Sequence, residues 1–255
     1  MSYLEKLFGL KGKVVIVTGG SRGIGQTVAI GMARAGAEVA IFSRTEATET
    51  VDTIVKEGGV AYSLLVDVTN EKRVDEAVSE VMKRSGSIDV VFSNAGACIH
   101  KDTFSASLRE WSEIINVNLT GVYIIARATG RVMADHKIKG SIINMASMSG
   151  GIVNVPQWQA SYNASKAGVI HLTRSLAIEW ADLGIRVNSL SPGYIATPMS
   201  VDTPQELKDA WMPLIPLHRM GDPEELMTAV LYLASNASGY TTGSDVLVDG
   251  AYSCL

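Results

Sequence analysis

Cysteine is scarce in this chain: Cys98 and Cys254 are its only two. That number supports neither a disulfide framework nor a metal-ligand cluster, and no metal is expected. Long apolar runs are missing as well, since none reaches the roughly 18–20 residues a membrane span needs. The opening "MSYLEKLFGLKGK" lacks the apolar core of a signal peptide. Basic clusters are also absent. A net charge of −4 and an isoelectric point near 5.6 set the chain apart from proteins that hold nucleic acid or anionic membrane by charge. Hydrophobic residues make up 47% and charged residues 19%, enough for a large core and no bias to disorder. With no linker or low-complexity tract in view, one domain over 1–255 and a cytoplasmic location are expected.

What is present is alternation. Short β-branched runs at 13–18 ("KVVIVT"), 38–42, 61–66, 90–94, 141–145, 186–191 and 246–248 read as strands. Helical patterns separate them, at 23–35, 70–85, 107–131 and 162–182 among others. Strands that alternate with helices predict a doubly wound α/β fold, a parallel sheet of about seven strands covered on both faces. Prolines crowd 197–223, which reads as an irregular insertion at the carboxyl edge of the sheet, where such folds bind ligands.

The first strand runs into Thr18-Gly19-Gly20-Ser21-Arg22-Gly23-Ile24-Gly25, and a helix follows. Glycines at 19, 23 and 25 let the backbone turn sharply beside a pyrophosphate, with Ser21 and Ile24 in the same turn and a helix N-terminus facing the charge. An NAD site would end the second strand on Asp or Glu. Here the strand ends Ile41-Phe42-Ser43-Arg44. Ser43 offers a hydroxyl, and Arg44 and Arg22 offer guanidinium forks suited to a 2′-phosphate, so NADP(H) is the expected cofactor. Two ordinary surface arginines are the competing reading.

In "SYNASK", Tyr162 and Lys166 lie four apart at the start of a helix, one turn from each other. With the glycine turn, Asp67-Val68, Asn94-Ala95-Gly96, Asn116-Val117-Asn118, Ser147 and Pro192-Gly193, the chain resembles the short-chain dehydrogenase/reductase family along essentially its whole length, with a Rossmann-type fold. It departs from the family pattern at Ser93 and Ala251. A tyrosine of pKa about 10 is a poor proton shuttle near neutrality. A neighbouring ammonium is expected to draw that value down by about 1–3. Tyr162 is therefore read as the acid/base and Lys166 as its tuner and a ribose donor. Ser147, just past a strand, would donate to the substrate oxygen. The resemblance implies Asn118 as a fourth catalytic residue, holding a water. It also implies Asp67 and the Val68 N–H at the adenine, Asn94 along the cofactor cleft, and Ile195 and Thr197 at the nicotinamide amide. Cys98 and His100 are given no catalytic role.

Between Ser147 and Tyr162, Asn154, Gln157 and Gln159 offer amides to hydroxyls, while Trp158 and Trp211 are read as platforms for a sugar chain. The segments "PQWQASYNASKAG" and "PLHRMGDPEEL" resemble the NADP-dependent polyol dehydrogenases and ketose reductases of the mannitol, sorbose and xylulose type. A ketose/polyol pair is the first substrate reading. A gluconate 5-dehydrogenase-like enzyme, a broad carbonyl reductase and a non-catalytic NADPH-binding regulator stay open as alternatives. The resemblance also implies a homotetramer, with helices 107–131 and 162–182 pairing with their symmetry mates through Ala164 and Gly168.

Overall fold

The computed structural model describes residues 2–201 and 203–254. Its seven strands are β1 (Val14–Thr18), β2 (Glu38–Ser43), β3 (Val60–Leu65), β4 (Val90–Ser93), β5 (Ser141–Met145), β6 (Arg186–Pro192) and β7 (Asp245–Val248). They form one parallel sheet in the order β3-β2-β1-β4-β5-β6-β7. The chain reverses its winding between β1 and β4, the crevice where doubly wound sheets bind ligands.

Ten α-helices connect the strands: α1 (Tyr3–Phe8), α2 (Gly23–Arg34), α3 (Thr48–Lys56), α4 (Glu71–Ser85), α5 (Leu108–Ile115), α6 (Gly121–Asp135), α7 (Ala160–Glu179), α8 (Pro198–Val201), α9 (Gln205–Trp211) and α10 (Met227–Ala234), counted among the described residues. Strand side chains alternate between faces. Val15, Val17, Val39, Ile41 and Phe92 pack with Met32 of α2 and Leu233 of α10. Ile16, Ala40, Phe42, Val91 and Ile142 face Val74 of α4, Ile125 of α6 and Leu176 of α7. Both faces are covered, which is why the strands read as continuous apolar runs.

Local signals set the ends of several helices. Asn70 accepts from the Arg73 N–H at 3.0 Å to start α4, and Gly86, at φ +77°, stops it. Ser107 and Glu110 form a capping box at α5.

Two expectations are corrected. The helix read at 107–131 is interrupted by a π-helical turn, Asn116–Thr120, between α5 and α6. The proline-rich stretch 197–223 is no irregular insertion, since it holds α8, α9 and a 3₁₀ turn at Met212–Leu214. Periodicity cannot find helices this short.

Candidate active site

The turn between β1 and α2 is built for close approach. Gly19 and Gly23 have φ of +68° and +58°. A Cβ on Gly25 would stand 2.3 Å from the Gly19 carbonyl oxygen and 2.5 Å from Asn94 Nδ2. Alanine does not fit there. Thr18 Oγ1 accepts from the Asn94 and Ala95 N–H groups at 2.9 Å each, and Asn94 Nδ2 donates to the Thr18 and Gly19 carbonyls at 3.1 and 3.3 Å. Asn94 thus braces the glycine turn from behind with its amide. Ser21 and Ile24 sit in the turn, partly exposed. The first turn of α2 carries no acidic side chain, so its N-terminus keeps its affinity for an anion.

Arg22, in the glycine turn, and Arg44, just after β2, are both exposed. Neither has a hydrogen-bond or ion-pair partner among the described residues. Ser43 is buried, and its hydroxyl donates to the Thr45 carbonyl, so it supports the turn that presents Arg44. Asp67 Oδ1 accepts from the Thr69 N–H at 2.9 Å and the Thr69 hydroxyl at 2.7 Å. Desolvation pushes the Asp67 carboxyl up, but the Thr69 hydrogen bonds and the charge of Arg44 outweigh it and hold it below the usual carboxylate range. The neighbouring Val68 N–H has no acceptor among the described residues.

Across the crevice, Pro192 ends β6 and the Gly193 N–H donates to the Val248 carbonyl at 3.0 Å. A Cβ on Gly193 would meet the Asp249 Cα at 2.7 Å. Ile195 bridges to Gly221, and Thr197 lies 3.8 Å from where a Gly23 side chain would begin. The 192–197 and 18–25 segments therefore face one another.

Ser147, Tyr162, Lys166 and Asn118 converge at the carboxyl ends of β4 and β5. Ser147 caps a 3₁₀ turn after β5. Tyr162 and Lys166 lie in the first turns of α7, with the Lys166 Nζ 5.5 Å from the Tyr162 ring centre. A Cβ on Gly96 would stand 3.3 Å from Asn118 Oδ1 and 3.9 Å from Lys166 Nζ, so Gly96 leaves room between them. The π-helical turn directs Asn118 inward. Its Oδ1 accepts from the Ala97 N–H at 2.8 Å, and its Nδ2 donates to the Ala97 carbonyl at 2.9 Å and to Ser165 Oγ at 3.1 Å. Asn118 thus clamps the loop after β4 onto α7.

The electrostatics differ from the expectation that Lys166 draws the phenol down. Burial pushes Tyr162 up to about 12, the Cys98 thiol adds to this, and the Ser147 hydroxyl offsets part of it. Tyr162 keeps some surface open to the crevice; the density of protein around the phenol causes the shift. Burial also pushes Lys166 down to about 8, countered in part by Cys98. The ammonium donates to the Met145 carbonyl at 2.8 Å instead of approaching the phenol oxygen. Desolvation outweighs pairing for both groups. Cys98 is itself pushed up to about 12 by burial, against the opposing charge of Lys166, which makes it an inert thiol.

The amides expected to meet substrate hydroxyls bind one another instead. Asn154 and Gln157 donate to Tyr194 Oη at 3.1 and 2.8 Å, and Gln159 donates to Ser149 Oγ, Asn154 Oδ1 and Asn163 Oδ1. Trp211 is no sugar platform. It is 4% exposed, stacked on Tyr194 at 4.2 Å, and donates to Gln157 Oε1 at 2.9 Å. Trp158 remains open, at 63% exposure. A Cβ on Gly168 would meet Leu119 Cδ2 at 2.8 Å, so its small size serves packing within the chain. Thr18, Ser149 and Tyr194 had no role in the sequence reading, because no local pattern marks a hydroxyl that braces a distant segment. A cavity of about 520 Å³ opens at the amino edge of the sheet, beside Lys13, Arg34 and Glu38.

Residues 19–253 match the family described as enoyl-(acyl carrier protein) reductase. The chain is similar to the sorbose reductase of Candida albicans, 45% identical over 252 residues that cover 97% of this chain and 89% of that one. It is 44% identical to the NADP-dependent mannitol dehydrogenase of Alternaria alternata, over 98% of this chain and 95% of that one. A short-chain type dehydrogenase/reductase from Mycobacterium marinum has the same fold, with a TM-score of 0.94 and 44% identity over 98% of this chain and 99% of that one.

Proposed function

The chain belongs to the short-chain dehydrogenase/reductase family, and from that membership we propose that it interconverts a ketose and its polyol with NADP(H). The observation that carries this reading is the clustering of Ser147, Tyr162 and Lys166 at the carboxyl edge of the sheet, on the same edge as the glycine turn after β1. The relatives named for sorbose and mannitol support the substrate class.

The residues fit the cofactor. Gly19 and Gly25 let the turn close tightly on Asn94 and Ala95, Gly23 stays open towards Thr197, β2 ends without a carboxylate, and Arg22 and Arg44 are exposed cations with no hydrogen-bond partner among the described residues. Asp67 and the Val68 N–H are read as the adenine end, and Gly96, Gly193, Ile195 and Thr197 as the nicotinamide end. When bound, NADP(H) supplies and takes back the hydride. A phenol kept protonated by burial suits Tyr162 to give its proton to a carbonyl oxygen during reduction. Ser147 donates to the same oxygen and stabilises its charge. Lys166 supplies positive charge beneath them, and Asn118 holds the loop that shapes the crevice. A homotetramer in the cytoplasm is part of the same reading. It is supported by exposed Leu108, Trp111 and Ile178 on α5 and α7, and by cysteines that are both free.

The test follows NADPH and NADH oxidation over ketoses, keto-acids and simple ketones, in wild type and Arg44→Ala. Ketoses with NADPH should be fastest. A charged hydrogen bond contributes about 1.5–3 kcal/mol, and discounted for exposure its loss should cost Arg44→Ala about tenfold in NADPH preference. Activity confined to keto-acids would overturn the substrate class, and a preference for NADH would overturn the cofactor assignment.

A further inference from the structure

A run of hydrogen bonds joins Trp211, on α9, to Ser147. An indole N–H can only donate. Gln157 must therefore turn Oε1 to Trp211, at 2.9 Å, and Nε2 to the Tyr194 oxygen, at 2.8 Å. That oxygen also accepts from Asn154 Nδ2 at 3.1 Å, which leaves Asn154 Oδ1 facing Gln159 Nε2 at 3.1 Å. The two protons of Gln159 Nε2 serve three acceptors, the others being Ser149 Oγ at 3.3 Å and Asn163 Oδ1 at 2.9 Å. Ser149 Oγ in turn accepts from the Ser147 hydroxyl at 3.1 Å, and the Ser149 N–H donates to Ser147 Oγ at 3.2 Å.

Serine hydroxyls donate or accept with equal ease, whereas amides and an indole have fixed polarity. The serines, Asn154, Gln157, Gln159 and Trp211 are all buried, so water does not scramble the order. Gln159 holds Ser149 Oγ as an acceptor. When Ser147 turns its proton to a substrate oxygen, the Ser149 proton is free to swing onto Ser147 Oγ. A hydroxyl that accepts a hydrogen bond is a stronger donor.

We infer that Gln159 and Trp211 are positioning residues that set the direction in which the Ser147 hydroxyl donates. This rests on the reading that Ser147 donates to the substrate carbonyl. It also couples the docking of α9 to the reacting centre.

Two variants test the inference. Gln159→Glu puts an acceptor where the donor stood and pulls the Ser149 proton away from Ser147. kcat and kcat/KM should fall together by about tenfold or more, with KM and the NADPH dissociation constant near wild type. Trp211→Phe keeps the stack on Tyr194 and removes the N–H; the same pattern is expected at about three- to tenfold. This second variant decides the question if Gln159→Glu does not fold. A purely structural role would instead raise KM and weaken NADPH. A readout independent of turnover is the Trp211 indole resonance in a ¹⁵N spectrum, assigned by its loss in Trp211→Phe. It should shift in Gln159→Glu. Wild-type kcat in Trp211→Phe, a change in KM alone, or an unmoved indole resonance would each overturn the relay. If the wild type reduces another carbonyl and no ketose, the substrate reading fails and the kinetic comparison is made on that carbonyl. If it reduces none, the proposed function fails and the indole resonance decides the relay.

Discussion

Lys166 is 3% exposed, and its ammonium donates to the Met145 carbonyl at 2.8 Å. Its folded pKa, about 8 against 10.5 for the free side chain, means that the folded chain binds fewer protons between those values. Stability should therefore rise with pH across that window, and the buried charge is a cost at and below its lower end. Lys166→Met removes the cost and loses one hydrogen bond, so at about pH 7 it should be more stable by roughly 2 kcal/mol. Thermal unfolding should show the variant's advantage shrinking as pH rises towards 10.5, while turnover is lost. A variant less stable than wild type at neutral pH would contradict the desolvation argument. Tyr162→Phe separates chemistry from binding. It removes one oxygen, so turnover should fall by orders of magnitude with little change in NADPH affinity by fluorescence titration. More than a tenth of wild-type activity would exclude Tyr162 as the proton donor.

At the scale of elements, the turn between β1 and α2 depends on close backbone contact. A Cβ on Gly25 meets the Gly19 carbonyl oxygen at 2.3 Å, and this nearest atom is backbone that cannot swing aside. Gly25→Ala should cost about 2–3 kcal/mol in a denaturant titration and abolish NADPH binding. Gly239→Ala is the control: its φ is −57°, and a Cβ there would lie 3.4 Å from the Asn236 carbonyl oxygen. Equal effects of the two substitutions would show that the cradle is not sterically closed. The π-helical turn at Asn116–Thr120 is a second such device. π-turns commonly mark functional positions, and this one turns Asn118 from a helix surface into a clamp between Ala97 and Ser165.

At the scale of the whole molecule, the proposed tetramer is supported by exposed apolar side chains. Leu108, Trp111, Tyr123 and Ile178 are all more than a third exposed, on α5, α6 and α7. Light scattering should give about four times the 27.2 kDa chain mass. Trp111→Lys should lower the assembly state. A wild type that stays monomeric at micromolar concentration would rule out the tetramer.

Much of this protein was legible in its sequence by itself. Short β-branched runs between helical patterns placed all seven strands within a residue or two. Glycines at 19, 23 and 25 announced a turn that must come close to something. Helical spacing put Tyr162 and Lys166 on one side of α7, and Ser147 followed a strand. Each of these is a local property, set by neighbouring residues along the chain. The tertiary structure alone decided who is buried and who donates to whom. Trp211 and Gln157 meet across 54 positions, and no periodicity links them. Lys166 and Tyr162 shift in the directions burial imposes, which an i, i+4 spacing does not reveal. Gly168 makes room for Leu119 of its own chain, which the helical spacing alone does not reveal. Local pattern follows from backbone geometry, whereas hydrogen-bond polarity and desolvation arise only when distant segments pack together and exclude water.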